Sequence, residues 1–67
     1  MINLDDFSPE ELKLMLSNES LPKEWEPYAR YAILAAEAYD HGAQEAARYY
    51  IEQCDKIYSQ LPEELRW

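Results

Sequence analysis

The chain has one glycine, one cysteine, one histidine and only six basic residues. Each scarcity excludes something. With Cys54 alone there is no internal disulfide, and with His41 alone a zinc site of Cys and His type cannot be assembled from one copy. No cofactor or metal is implied. No stretch approaches the roughly 20 apolar residues that a membrane span needs. The opening residues Met1, Ile2, Asn3, Leu4, Asp5 and Asp6 carry no basic segment, apolar run or lipidation signal. A soluble protein without membrane contact is expected, and one unpaired thiol fits a reducing cytoplasm. The bases Lys13, Lys23, Arg30, Arg48, Lys56 and Arg66 are scattered singly against fourteen acids, for a net charge of -8. Neutralising a phosphate backbone requires clustered Lys and Arg, so direct nucleic-acid binding is not expected.

Apolar residues make up 48% of the chain and aromatics 13%, too much for a disordered segment of this charge. The 67 residues allow one small helical domain, 1–67. A domain of about 60 residues buries only about 60% of the surface its unfolded chain exposes. Disulfides and metals being excluded, the remaining ways to add buried area are self-association or a partner protein.

Ser8 reads as an N-cap, with Pro9 at the first helical position and Glu11 completing a capping box. Phe7 and Leu12 are spaced for a hydrophobic staple. Leu12, Met15 and Leu16 then share one face of a short helix that fades near Ser17. Residues 18–22 form a connector, followed by a single turn through Trp25. Glu26, preceding Pro27, is biased away from helical geometry, which predicts a break or kink between Trp25 and Tyr28. A second helix is predicted over 27–41. Tyr28, Tyr31, Ala32, Ala35, Ala36, Ala38 and Tyr39 fill one broad apolar arc on it, extended by Ala29 and Leu34. An arc this wide belongs to a central helix with two neighbours. Ile33 is the large apolar residue on its polar side. Gly42 supplies the left-handed residue that ends the helix. A third helix over 43–60 places Ala46, Ala47, Tyr50, Ile51, Cys54, Ile57, Tyr58 and Leu61 on one stripe. Glu26 and Arg30, and Glu52 and Lys56, are spaced for ion pairs along their helices. Pro62 ends the stripe, and residues 62–65 look like one further turn. The fold class is all-α: a short N-terminal helix on a long antiparallel helical hairpin.

From Tyr31 to Leu61 the hairpin resembles a single tetratricopeptide-type repeat, a helix-turn-helix unit with a period of about 34 residues. Tyr31 takes the family's first bulky aromatic position, and Leu34 and Ala35 its large-then-small pair. Gly42 falls at the turn; Ala47, Ile51 and Cys54 take the small, bulky and small positions of the second helix. The chain departs at Ala38, where the family has an aromatic, and at Ser59, where it has proline. The resemblance implies a protein-binding scaffold, and a core that one repeat does not complete alone; with the N-terminal helix the expected fold is three-helix.

Candidate chemistry is sparse. Glu37 and His41 stand four apart near Asp40, but no nucleophile or oxyanion arrangement accompanies them, and a solvated pair at a helix C-terminus accounts for them. Cys54 lies on the apolar stripe without a cationic neighbour to favour its thiolate, as a small core residue does. The acids at residues 5–6, 10–11 and 63–64 sit at predicted helix starts, where the dipole favours them. An enzyme is not expected. Tyr49 points away from the third helix's stripe, and Trp67 either anchors a partner or folds back on its own domain; exposed Tyr and Trp are enriched among interface anchors. With Leu65, Ile33 and Trp25 they form the candidate partner-contacting set. The expected function is a non-enzymatic protein-protein interaction module that contacts another protein or a second copy of itself, as a homodimer. The alternative is a small acidic inhibitor occupying a basic nucleic-acid site on a target enzyme. Such chains resemble, in composition alone, the counter-defence products of mobile elements and phages.

Overall fold

The structure, a computed structural model, describes residues 4–67, apart from the side chain of Asp5. Residues 1–3, on which the reading of the opening segment partly rests, lie outside it. The described residues form three α-helices: α1 (Pro9–Ser17), α2 (Glu26–Asp40) and α3 (Gln44–Gln60). Short 3-10 turns at Leu4–Asp6, Lys23–Trp25 and Glu63–Leu65 precede α1, lead into α2 and follow α3.

Local chemistry sets the helix ends. The Glu11 backbone N–H donates to Ser8 Oγ (3.2 Å), and the Ser8 backbone N–H donates to Glu11 Oε1 (3.1 Å), closing the capping box. Helices α1 and α2 end alike. At α1, the Glu19 N–H donates to the Leu16 carbonyl and the Ser20 N–H to that of Met15, with Glu19 at φ 53°. At α2, the Gly42 N–H donates to Tyr39 and the Ala43 N–H to Ala38, with Gly42 at φ 75°. Both are Schellman caps, which need one left-handed residue. Glycine fills that position in one, and a glutamate, against its steric preference, in the other.

Between Trp25 and Tyr28, where a break or kink is expected, the chain is unbroken and passes from the 3-10 turn straight into α2. Glu26, its first residue, is helical (φ -57°, ψ -46°). Pro27 falls in the first turn of α2, where the missing N–H has no intrahelical acceptor to lose. Trp25 and Tyr28 on either side of it are both buried, which holds the chain in this path.

Helices α2 and α3 are antiparallel, since Tyr28 lies against Cys54 and Tyr31 against Tyr50. Where they cross, Ala35, Ala38 and Ala47 are buried, so the backbones approach closely. Helix α2 is the middle layer, with α3 on one side and α1 on the other. That arrangement buries Ile33, which the wheel had placed on a polar side, because α1 covers that side. The main core gathers Leu4, Leu12, Leu21, Trp25, Tyr28, Ala29, Ile33, Cys54 and Leu61.

The C-terminal residues complete this core. Trp67 packs edge-on against Trp25, Tyr28 and Tyr58, with ring centroids 5.3, 4.7 and 4.9 Å away. Trp25 Nε1–H donates to the Leu65 carbonyl (2.9 Å), and the Tyr58 hydroxyl donates to the Trp67 carbonyl. Arg66 donates to the carbonyls of Leu61 and Ser59, satisfying acceptors that the end of α3 leaves open. The polar tips of Trp25 and Tyr58 in this aromatic clasp thus both have partners, as buried Trp and Tyr require. No helix among the described residues is long and apolar enough to cross a membrane.

Candidate functional site

The five candidate contact residues do not share a surface. Trp25 is 9% exposed and Ile33 7%, both inside the core. Leu65 and Trp67 are half-buried in the clasp, so Trp67 folds back on its own domain. Tyr49 stays 54% exposed on the outward side of α3, its ring edge-on to Tyr50 at 5.6 Å.

Two residues read as core from the helical wheels are on the surface instead. Tyr39 is 54% exposed and Ile51 39%. Leu34, an expected extension of the arc, is exposed as well. The reason is geometric. The apolar arc of α2 is wider than the two neighbours it has, and the clasp covers only the end of the hairpin away from Gly42. Periodicity marks a face as apolar and does not say whether a neighbour covers it. The sequence signal for Tyr39 and Leu34 is the excess width of that arc, and for Ile51 its place at the edge of the α3 stripe.

Tyr39 and Ile51 border a groove of about 420 Å³ between α2 and α3. Its α2 wall is a ridge of Tyr28, Ala32, Ala35, Ala36 and Tyr39, spaced at i, i+4, i+7, i+8 and i+11, and its α3 wall is Ile51, Cys54 and Asp55. The Cys54 thiol is buried against the Tyr28 carbonyl at 3.7 Å. A second cleft of about 560 Å³, between α1 and α2, is lined by Lys13, Leu16, Ser17, Arg30, Ile33 and Leu34.

The accessible surface is 4810 Å², close to the roughly 4,450 Å² typical of a monomer of this mass. The excess apolar surface is therefore local, lying mainly on the hairpin, and not a failure of the whole chain to close.

Charged side chains are almost all solvated. One ion pair is present among the described residues, Lys13 Nζ to Glu37 Oε1 at 3.6 Å, between α1 and α2. It takes the Glu37 carboxylate expected beside His41. The pairs expected between Glu26 and Arg30 and between Glu52 and Lys56 do not form, in keeping with the small gain that exposed pairs offer against side-chain entropy. No group of three or more His, Cys, Asp or Glu that could hold a metal ion occurs among the described residues. No family model, curated protein or solved structure matches the chain.

Proposed function

We propose that the protein is a non-enzymatic interaction module that docks through the α2–α3 groove on another protein or on a second copy of itself. One observation carries this reading. Tyr39 and Ile51, large and apolar, stand exposed at the rim of a groove whose α2 wall is mostly alanine. Covering side chains of this size is worth about 1.5–3 kcal/mol each, and aromatic anchors beside short side chains suit a close-packed contact. A tetratricopeptide-like hairpin is part of the reading, supported by the buried small residues Ala35, Ala47 and Cys54 at the helix crossing.

The test is affinity capture from the protein's own cell extract together with sedimentation equilibrium, on the wild type and on Ile51→Ser. The expected result is a captured protein, or a self-association at micromolar concentration, that the substitution weakens while the helical circular-dichroism signal is unchanged. A strictly monomeric wild type that captures nothing overturns the reading.

A second reading, the acidic inhibitor of a basic nucleic-acid site, is favoured by the fourteen acids, of which one forms an ion pair among the described residues. Under it, binding follows the overall field and is indifferent to Ile51.

A further inference from the structure

We propose that the occupant of the α2–α3 groove is a basic amphipathic helix of another protein. This rests on the reading of the groove as a docking surface and adds the chemistry of what fills it.

The shape favours a helix. The α2 ridge from Tyr28 to Tyr39 covers twelve residues, about 16 Å for the eleven rises of 1.5 Å between its ends, or three turns. Ala32, Ala35 and Ala36 keep that ridge low between its two tyrosines, which lets another helix axis settle at the short end of the usual 8–10 Å separation. Tyr39 at one end of the ridge and Ile51 on α3 toward the other stay exposed. Helix-in-groove recognition uses anchors at i, i+3 or i+4, and i+7 on the incoming helix.

Charge selects the kind of helix. Asp55 lines the groove, Asp40 stands one turn beyond Ala36, and Glu52 is one turn before Asp55. All three are exposed and none forms an ion pair. Arg48 and Lys56 are the bases on that side of α3, each one turn from Glu52, so the rim carries three acids to two bases within a chain of net charge -8. Lys and Arg flanking an apolar stripe meet both the rim and the long-range field.

A second copy fits less well. It approaches with the same charge of -8 and brings more acids than bases to any contact. The α1–α2 cleft has the opposite rim, Lys13 and Arg30, but an acidic occupant would approach it against the field of the whole chain.

The probe is a synthetic three-turn peptide with Leu anchors and Lys flanks, titrated by fluorescence anisotropy beside a Glu-flanked version and a scrambled Lys version. The Lys-flanked peptide is expected to bind about tenfold more tightly than either, and to weaken about tenfold as salt rises from about 0.05 to about 0.5 M. Ile51→Ser should lower its affinity about tenfold. The double substitution Asp40→Asn with Asp55→Asn should lower it and flatten the salt dependence. No measurable binding of the Lys-flanked peptide, or equal binding of the scrambled one, overturns the proposal. If the Lys and Glu peptides bind alike and both lose affinity with Ile51→Ser, the charge assignment fails while the docking surface stands. If Ile51→Ser changes nothing for any peptide, the docking surface fails. Self-association that strengthens with added salt, as screened like charges require, makes a second copy the occupant and also overturns the proposal.

Discussion

Two helix ends share one backbone solution with different residues, which makes a matched experiment possible. Glu19 and Gly42 occupy the same left-handed position of a Schellman cap, at φ 53° and φ 75°. A residue with a Cβ loses roughly 1–2 kcal/mol there, and glycine gives back about 0.4–1 kcal/mol through its freer unfolded chain. Glu19→Gly should therefore stabilise the protein by about 0.5–1 kcal/mol from the backbone alone. Removing an acid from the C-terminal end of α1, where the dipole disfavours it, adds a smaller gain. Glu19→Gln isolates the second effect, since it deletes the charge and keeps the Cβ. The reverse change, Gly42→Ala, should destabilise by about 1 kcal/mol. A Cβ at Gly42 would meet nothing within 4 Å, so strain is its sole cause. In a domain of this size 1 kcal/mol moves Tm by about 4–8 °C. Thermal melts followed by circular dichroism at low salt and high salt would resolve all three. Glu19→Gly melting no higher than Glu19→Gln would refute the backbone account.

Trp67→Ala should cost about 3 kcal/mol, the low end for a buried aromatic because Trp67 is half-exposed; urea unfolding checks it, and a loss under 1 kcal/mol would mean the clasp contributes little. Ala47→Leu, at a site with no exposed surface where α2 and α3 cross, should destabilise by about 1–3 kcal/mol through overpacking, read in the same assay. Ser8→Ala removes one of the two capping-box bonds and should cost about 1 kcal/mol, and most of that cost should persist in a Glu11→Ala background, because Ser8 Oγ accepts from the Glu11 backbone N–H. Cys54, buried between α2 and α3, should react with a thiol reagent at a rate set by hairpin opening; a rate equal to that of the urea-unfolded chain would contradict its burial.

The three helices were readable because their ends carry local chemistry: Ser8, Pro9 and Glu11 at one start, Gly42 at the central turn, Pro62 after the last. The α1 cap was not, since no glycine marks it and Glu19 adopts the left-handed conformation only once the helix before it is fixed. Pro27 misled for a related reason. Its local bias against a helical Glu26 is overridden by burial of Trp25 and Tyr28, a tertiary effect with no local trace. The surface was the least readable part. Wheels identified Tyr39 and Ile51 as apolar and Ile33 as out of place, but α1 and the C-terminal residues decide which of them is covered. Trp67 reaches Trp25 and Tyr28 across some forty residues of sequence, a contact that no periodicity encodes.

The aromatic clasp also governs how the molecule comes apart. The α2–α3 pair is pinned at both extremities, by covalent continuity through Gly42 and by Trp67 bridging Tyr28 and Tyr58. Fraying from a free end is closed to it. Helix α1, nine residues long and packed chiefly on α2, has no second anchor of this kind. Its amides should be the first to exchange with solvent, and its departure would uncover Ile33 while the hairpin beneath stayed closed.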